Sequence, residues 1–318
     1  MKVVYRSSLI VLVLGLVLVA STGWADTLYV SNYSNNTIRK FDSSGTDLGI
    51  FASSGLTKPT GLAFDAAGNL YVANEGNNTI LKFNSSGTAS VVFATSASGL
   101  NMPGALAFDS SGNLYAANRS MDSNNTVLKF NPSGTSPTIF ANSSDGLSIP
   151  YGLAFDSSDN LYVSTTGSGP SIHKFTGSHP GTLYAGTLYP DISNDGLSQP
   201  VGLAFDSSGS LYVANNYGNN IEKFTGPHAG TTFAIGVTVP SGLAFDSSGN
   251  LYVANTGGGN VLKFNSSGIS TVFADSSNGL SYPLFIAVAP VPEPSTFALL
   301  SVGAFGMLGY AWRKRKTA

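Results

Sequence analysis

Carboxylates are the first residues to consider, because acid–base and metal-assisted chemistry usually depends on them. Between residues 26 and 290 the sequence contains only two glutamates, Glu75 and Glu222. Glu75 directly follows Asn74 at the end of an apolar LYVAN segment, so a carboxylate and an amide stand side by side at a predicted strand end. Glu75 is therefore the one residue on which a metal-assisted hydrolytic centre could be built.

The Asn of LYVAN recurs along the chain and offers side-chain amides to a sugar or a cation. The candidate ligand-binding residues are these asparagines and their neighbours in variable loops: Asn74, Glu75, Asn118, Arg119, Asn215, Tyr217 and Asn255. The alternative is a structural role, because an Asn at a strand end caps its own following turn and tolerates a left-handed backbone. We expect that structural role for the asparagines themselves.

Other catalytic constellations lack candidates in the sequence. The three histidines, His173, His179 and His228, form no HExxH pair, and no GxSxG nucleophile elbow occurs. The repeated DSSGN segment lacks the several carboxylates and the distal Glu of an EF-hand. His173 takes a position filled by Leu or Arg in sibling repeats and is expected at the surface. The sequence therefore predicts no catalytic residue, no bound metal and no cofactor.

Internal repetition predicts the elements that position these residues. The tripeptide LYV or LYA recurs at intervals of 40 to 50 residues, beginning at Leu28, Leu70, Leu114, Leu161, Leu211 and Leu251. Each full repeat holds four short runs, GLAFD, LYVAN, an Ile/Val-x-Lys-Phe run and a Phe-Ala segment, bounded by Gly, Asn, Asp or Ser, which favours strands. We predict an all-β fold, a six-bladed β-propeller of four-stranded blades. A parallel β-helix is the alternative, but its repeats are much shorter.

The two ends of the repeat region predict how the ring closes. The chain after Asp26 starts directly at a second strand, residues 28–30, whereas residues 283–289 (PLFIAVA) align with the first-strand segment PTGLAFD at 59–65. We therefore expect this C-terminal strand to complete the N-terminal blade. With strands a to d running outward, the a–b and c–d turns share one face, and the variable b–c and d–a loops share the other, where we expect ligands to bind.

Six lysines precede the Phe that ends each third strand: Lys40, Lys82, Lys129, Lys174, Lys223 and Lys263. A basic ring is one interpretation. We favour the other, in which each side chain packs its stem between blades and brings its ammonium close to an Asp that ends strand a, such as Asp65 or Asp246.

Residues 1–25 have the layout of a secretory signal peptide. Lys2 and Arg6 precede an apolar run of twelve residues, and small residues lead to a predicted cleavage between Ala25 and Asp26. A membrane anchor is the alternative, but twelve residues of helix reach only about 18 Å against a hydrocarbon core of about 30 Å.

Residues 291–318 form a second targeting segment with three parts. Val291, Pro292, Glu293 and Pro294 precede an apolar stretch, 297–312, predicted to form a transmembrane helix, and a basic tail follows at 313–316. A simple tail anchor is the alternative. The order of the three parts closely resembles the PEP-CTERM sorting signal of Gram-negative bacteria. That resemblance implies recognition by an exosortase-type membrane peptidase, membrane attachment through the helix before processing, and export to the cell surface or extracellular matrix.

The repeat PxGLAFDxxGNLYVAN, followed by IxKF, resembles the NHL repeat and, more broadly, six-bladed propellers of the gluconolactonase and streptogramin-lyase-like superfamily. Two positions depart from the NHL pattern. The Asp that follows YVA is Asn here, and the Arg before the third strand is Thr at Thr79 and Thr126. A gluconolactonase-type enzyme implies a Glu, an Asn and an Asp converging on a metal in the central channel, and Glu75 is the candidate for the Glu.

Composition narrows the class of partner. Residues 26–290 contain nine basic and sixteen acidic residues, a net charge of −7, so the domain has no basic excess with which to bind nucleic acid. Since the chain has no cysteine, its stability cannot depend on disulfides. We predict an exported, surface- or matrix-associated, noncatalytic binding or scaffold propeller whose partner is an extracellular polysaccharide or another matrix protein. The alternative is a metal-dependent lactonase or esterase-like hydrolase.

Overall fold

A computed structural model of the chain describes residues 26–88, 90–119, 125–177, 181–186 and 195–289. Within these residues the chain forms 24 β-strands arranged in six antiparallel sheets of four strands. This arrangement confirms the predicted six-bladed propeller. The signal peptide, the VPEP motif, the apolar stretch 297–312, the basic tail and His179 lie outside the described residues.

Among the described residues, no helix has the length and apolar character needed to cross a membrane.

The strands follow the repeat, and the first strand of each blade begins at its Pro. Blades 1 to 3 use β1 (Thr27–Asn32), β2 (Thr37–Asp42), β3 (Asp47–Ala52), β4 (Pro59–Phe64), β5 (Leu70–Asn74), β6 (Thr79–Phe83), β7 (Ser90–Ala94), β8 (Pro103–Phe108), β9 (Leu114–Asn118), β10 (Thr126–Phe130) and β11 (Thr138–Ala141). Blades 4 to 6 use β12 (Pro150–Phe155), β13 (Leu161–Thr165), β14 (Ser171–Phe175), β15 (Thr182–Gly186), β16 (Pro200–Phe205), β17 (Leu211–Asn215), β18 (Asn220–Phe224), β19 (Gly230–Ile235), β20 (Pro240–Phe245), β21 (Leu251–Asn255), β22 (Asn260–Phe264) and β23 (Ser270–Ala274). Strand β24 (Pro283–Val288) returns to blade 1. Short 3₁₀ turns lie at Ser96–Ser98, Ser143–Asp145, Thr256–Gly258 and Ser276–Asn278.

Burial changes from the second strand of each blade to the fourth. The second strand, LYVAN in three blades, is buried at every position from its Leu onward because neighbouring blades cover both of its faces. The fourth strand forms the outer edge, and in β7 its first three residues are exposed. The Phe that ends each third strand fills the space between blades and is almost completely buried, as Phe83 and Phe130 show.

Glycine in GLAFD allows the innermost strands to approach one another at the ring axis. A Cβ atom on Gly152 would lie 1.9 Å from the carbonyl oxygen of Val201, and one on Gly202 would lie 2.0 Å from that of Ser241. No side chain fits at those two positions unless the backbone moves. Ala105 and Phe285 replace this glycine in blades 3 and 1, so the axis is not equally narrow at every blade.

Strand β24 closes the ring. It pairs antiparallel with β1, with Leu28 opposite Val288 and Val30 opposite Ile286, and the Ala289 N–H donates to the Thr27 carbonyl at 2.8 Å. It also contacts the innermost strands β20 and β4 on its two sides. The predicted closure is therefore confirmed, and residues 26–290 contain every strand pairing that the ring needs.

We call the face that carries the b–c and d–a loops the loop face, and the face that carries the a–b and c–d turns the turn face. The predicted Lys–Asp pairs lie on the turn face in five blades, with N–O distances of 3.2 to 3.7 Å: Lys82–Asp65, Lys129–Asp109, Lys174–Asp156, Lys223–Asp206 and Lys263–Asp246. In blade 1 the closing strand has Ala289 at the Asp position.

Candidate functional site

A cavity of about 370 Å³ opens on the loop face, at the ends of the innermost strands. We call it the channel-mouth cavity. It brings together residues of blades 1 to 4 that are far apart in sequence, and its lining contains three tyrosines, one carboxylate, one guanidinium and smaller groups: Tyr33, Ser34, Glu75, Met102, Arg119, Tyr151, Tyr282 and Leu284. Aromatic walls with a few convergent polar groups are typical of a ligand site.

The backbone positions Glu75 immediately after β5. Its N–H donates to the carbonyl of Lys58, at 3.2 Å, in the loop that enters the same blade. The Glu75 carboxylate forms an ion pair with Arg119 and accepts a hydrogen bond from the Tyr33 hydroxyl at 3.2 Å. Burial together with this neighbouring carboxylate raises the pKa of Tyr33 to about 12. Glu75 therefore lies in the channel-mouth cavity, and Arg119 and Tyr33 already bind its carboxylate.

Arg119 occupies the same position in blade 3 that Glu75 occupies in blade 2. Its N–H donates to the Met102 carbonyl at 3.3 Å, and its guanidinium lies 4.2 Å from the centre of the Tyr151 ring. Tyr151 in turn stacks on Phe285 of the closing strand, with the ring centres 6.0 Å apart and the planes at 14°. Burial raises the pKa of the Tyr151 hydroxyl. Phe285, which replaces a glycine, thus supports one wall of the cavity through Tyr151.

Backbone conformation at the entrance to each blade helps to shape the loop face. The residue before the Pro of strand a has a positive φ of 48° to 57° in every blade, although none of these residues is glycine: Lys58, Met102, Ile149, Gln199, Val239 and Tyr282. Such left-handed residues cost free energy and persist only where the surroundings enforce them. Two of the six, Met102 and Tyr282, line the channel-mouth cavity, and the Tyr282 ring lies 5.7 Å from that of Tyr33.

The asparagines of LYVAN do not face the channel. Asn74 is completely buried; its Oδ1 accepts from the Thr57 N–H at 3.2 Å, and its Nδ2 donates to the Gly55 carbonyl at 3.1 Å and to Thr79 Oγ1 at 3.2 Å. Asn118, Asn215 and Asn255 likewise accept from backbone N–H groups about 17 residues earlier in the chain. A structural role is therefore observed, and it is wider than predicted: the side chain fixes the preceding d–a loop and also bonds to Thr79, on the far side of its own following turn.

The two departures from the NHL pattern lie opposite each other. Asn74 pairs with Thr79 across β5 and β6, and Asn118 pairs with Thr126 across β9 and β10. In both pairs the amide donates to the hydroxyl, at 3.2 and 3.0 Å. A neutral amide–hydroxyl pair thus stands where the NHL pattern has Asp and Arg, and the two departures are in direct contact.

Three other residues lie away from the channel-mouth cavity. Tyr217 is on the loop face, but its side chain is 66% exposed and does not line the cavity. His173 was expected at the surface; it is instead buried beneath Gly146 of a d–a loop, with its Nε2 at 3.0 Å from Ser171 Oγ. Asp26, next to the predicted cleavage, is buried and accepts from the Ser247 N–H at 3.0 Å, which ties blade 1 to blade 6.

Comparison with known protein families shows which family the chain belongs to. The family model described as the SMP-30/gluconolactonase/LRE-like region matches residues 20–234, about two thirds of the chain. The chain belongs to this family. A second model, the PEP-CTERM protein-sorting motif, matches residues 290–316 and confirms the resemblance of the C-terminal segment. No curated protein sequence matches the chain significantly.

Solved structures agree with this SMP-30/gluconolactonase-type fold. A chain from a nidogen–laminin complex superposes with a TM-score of 0.71 at 18% identity, covering 84% of this chain and 99% of that one. A catalytically inactive virginiamycin B lyase from Staphylococcus aureus, solved with quinupristin, gives 0.58 at 15% identity, with coverages of 84% and 94%. A gluconolactonase from Xanthomonas campestris gives 0.58 at 20% identity, with coverages of 71% and 78%. At these identities the likeness shows the fold alone.

The described residues do not fit the metal that a gluconolactonase-type enzyme implies. Glu75 is the single carboxylate lining the channel-mouth cavity, and it is paired with Arg119. Asn74, the adjacent amide, is buried in its own hydrogen bonds. Across the described part of the chain, no three His, Cys, Asp or Glu side chains come together as metal ligands would. A guanidinium in contact with the carboxylate also opposes a cation electrostatically.

Proposed function

We propose that the protein is an exported, surface- or matrix-associated propeller that binds its ligand in the channel-mouth cavity without transforming it. The supporting observation is the pairing of Glu75 with Arg119 and Tyr33. A general base must face the substrate and take up its proton, whereas each oxygen of this carboxylate is already directed at a protein donor, one at Tyr33 and the other at Arg119. The pair makes the cavity polar but electrically neutral, and three tyrosines supply aromatic walls. That chemistry suits a small, uncharged ligand with both polar and apolar faces.

The sorting motif supports the proposed export and localisation of the protein. A PEP-CTERM motif implies recognition by an exosortase-type processing enzyme, export, and a cell-envelope or extracellular destination in Gram-negative bacteria. Retention at the surface or in the matrix, with an extracellular polysaccharide or another matrix protein as partner, is the finer part of the proposal. Membrane attachment through residues 297–312 would precede processing at Val291, Pro292, Glu293 and Pro294, after removal of the signal peptide between Ala25 and Asp26.

A metal-dependent lactonase or esterase-like hydrolase is the second candidate function. Family membership favours it, since the matching family model includes gluconolactonase in its description. In that case Glu75 would have to leave Arg119 and bind a cation, and further ligands would have to come from side chains that now point elsewhere.

Two assays on purified residues 26–290 separate these functions. The first follows hydrolysis of a panel of sugar lactones with each of several divalent ions; the second measures retention by matrix material from the producing cells. We expect no hydrolysis above the Glu75→Gln background, and retention that falls in Tyr151→Ala and Arg119→Met. Tyr217→Ser, which changes an exposed loop-face residue outside the cavity, is the matched control and should behave as wild type. Metal-dependent turnover that disappears in Glu75→Gln would refute the binding proposal.

A further inference from the structure

Three further cavities of similar construction lie on the turn face, at blade boundaries. They lie between blades 2 and 3, 3 and 4, and 5 and 6, with volumes of about 250, 190 and 240 Å³. We call them the rim cavities. Each has room for one six-membered sugar ring. They share no residue with the channel-mouth cavity, so they constitute a separate, repeated feature of the fold.

The floor of each rim cavity is aromatic. Between blades 5 and 6, the buried Tyr212 lies edge-to-face against Phe233 of its own outer strand and Phe245 of the next blade, with ring centres 4.9 and 5.0 Å apart. Tyr115 has the same contacts between blades 3 and 4, at 5.1 and 5.0 Å, and Tyr71 has them between blades 2 and 3, at 5.0 and 5.0 Å. The flanking phenylalanines are partly exposed and offer an apolar surface to a ligand.

A lysine ammonium forms the polar side of each rim cavity. Lys223, Lys129 and Lys82 lie 4.9, 5.1 and 5.0 Å from the centres of the tyrosine rings, and their side chains are 30% to 35% exposed. Each ammonium also contacts the Asp that ends strand a. An ammonium has three donors, so after its contacts with the Asp and with the tyrosine hydroxyl it keeps one donor for an oxygen acceptor that enters from solvent.

The Asp itself has little capacity left for a ligand. Asp109 accepts from the N–H groups of Ser111 and Asn113, from the Asn113 amide, from the Tyr115 hydroxyl and from Lys129. Its charge nevertheless cancels that of the lysine. A rim cavity is therefore a neutral site with an apolar floor and one free cationic N–H donor, so it favours an uncharged ligand rich in oxygen acceptors over an anion.

We propose that the rim cavities bind separate sugar rings of one neutral polysaccharide chain. An apolar C–H face of a pyranose would pack on the exposed phenylalanines, and its hydroxyl oxygens would accept from the lysine ammonium. The turns on this face have nearly the same sequence in each blade. They therefore place equivalent sites around one rim of the propeller. Several weak sites on one scaffold bind a repeating polymer far more tightly than its monomer. The proposal is independent of the channel-mouth function.

The experiment measures binding of residues 26–290 to surfaces that carry dextran, laminarin or galactomannan, with alginate as an anionic polymer and methyl glucoside as a monomer. We expect retention on at least one neutral polymer, with the monomer competing only at a sugar concentration at least about 100-fold higher. Ser266 is exposed and lines the cavity between blades 5 and 6, and Ser267 is exposed in the same turn but does not line it. Ser266→Trp should weaken polymer binding at least about threefold, and Ser267→Trp should leave it unchanged.

Controls separate the two surfaces. Since residues 26–290 contain no tryptophan, a blue-shifted emission shows that the new indole occupies the cavity. If the emission is instead that of a solvent-exposed indole, Ser207→Trp, in the same cavity, is used in place of Ser266→Trp. Combining Ser266→Trp with Ser133→Trp, which blocks the cavity between blades 2 and 3, should weaken binding at least about tenfold. Tyr151→Ala should not change polymer binding.

Four results would overturn the proposal. These are no retention on any neutral polymer, stronger retention on alginate, equal effects of Ser266→Trp and Ser267→Trp, and loss of polymer binding in Tyr151→Ala. The last result would move the binding to the channel-mouth cavity and would support the function proposed for that cavity.

Discussion

Replacing Asn74 by Ala tests whether the repeated asparagine holds the fold or binds the ligand. The side chain is completely buried and forms three hydrogen bonds, two of them to the backbone of the d–a loop at Thr57 and Gly55. Asn74→Ala removes the buried amide and leaves the Thr57 N–H and the Gly55 carbonyl without their side-chain partner. We therefore expect a loss of stability and a loosened d–a loop.

The magnitude follows from those three bonds. A typical intramolecular hydrogen bond contributes about 0.5 to 1.5 kcal/mol, so losing the three bonds of the amide should lower the free energy of unfolding by about 3 kcal/mol. For a domain of this size, each kcal/mol corresponds to about 2 to 4 °C in the unfolding midpoint. The variant should therefore unfold about 6 to 12 °C below wild type.

Urea and thermal unfolding of residues 26–290 provide the assay. The control is Asn77→Ala, in the b–c loop that follows Asn74. Its exposed amide accepts one hydrogen bond, from Thr79 Oγ1 at 2.7 Å. That change should cost less than about 1 kcal/mol. If Asn74→Ala unfolds within about 1 °C of wild type but no longer binds matrix material, the amide serves the ligand and the structural account is wrong.

Three further predictions concern the ring axis, pH and the Asn–Thr pair. Gly152→Ala should destabilise the domain by about 3 kcal/mol or prevent folding, because its Cβ would lie 1.9 Å from a backbone oxygen. The control is Gly226→Ala, where the added atom has open space around it, and this variant should have nearly the same thermal unfolding midpoint as wild type. Burial alone would raise the pKa of Asp109, but hydrogen bonds from its a–b turn and Lys129 outweigh it and hold the pKa below its usual range, as in four sibling blades. A carboxyl whose pKa is lowered in the folded state stabilises the fold at pH values above its unfolded pKa of about 3.9, and this stabilisation is lost as the pH falls through the folded-state pKa. The urea midpoint of unfolding should therefore decrease below about pH 4. A decrease that is already complete at pH 5 would contradict this prediction. Asn74→Asp should destabilise, and adding Thr79→Arg should restore part of the loss in a double-mutant cycle; additive effects would show that the two positions are not coupled.

The repeat made most of the fold predictable. Each blade has the same alternation of apolar runs and turn residues, and the alignment of PLFIAVA with PTGLAFD located the closing strand, because strand pairing within a blade is local and periodic. The Lys–Asp pairs followed for the same reason: Lys82 and Asp65 lie in one blade, at fixed positions in neighbouring elements. Glu75 and Arg119 were identified as loop-face residues because they follow the second strand of their blades.

The features that the repeat did not predict depend on contacts between segments far apart in the sequence. Tyr151 and Tyr282 entered the cavity because ring closure brings blade 1 against blades 2 to 4, and each occupies a variable sequence position beside a strand-initiating Pro. The residue directly after the second strand lines the cavity in blades 1 to 3, so recognising that shared position would also have identified Tyr33. His173 was misplaced because its position faces the d–a loop glycine, Gly146, about 27 residues earlier, so burial there depends on a loop and not on the strand pattern.

The most direct test of the central claim is a thermal-shift measurement on residues 26–290, treated with EDTA and then supplied singly with Ca²⁺, Mg²⁺, Mn²⁺ or Zn²⁺. An ion that binds the native state specifically must raise the unfolding midpoint. With Glu75 held by Arg119 and Tyr33, we expect no ion at 1 mM, about the concentration used for such scans, to shift the midpoint by more than about 1 °C. A rise of several degrees with one ion, absent in Glu75→Gln, would contradict the binding function and favour the metal-dependent hydrolase.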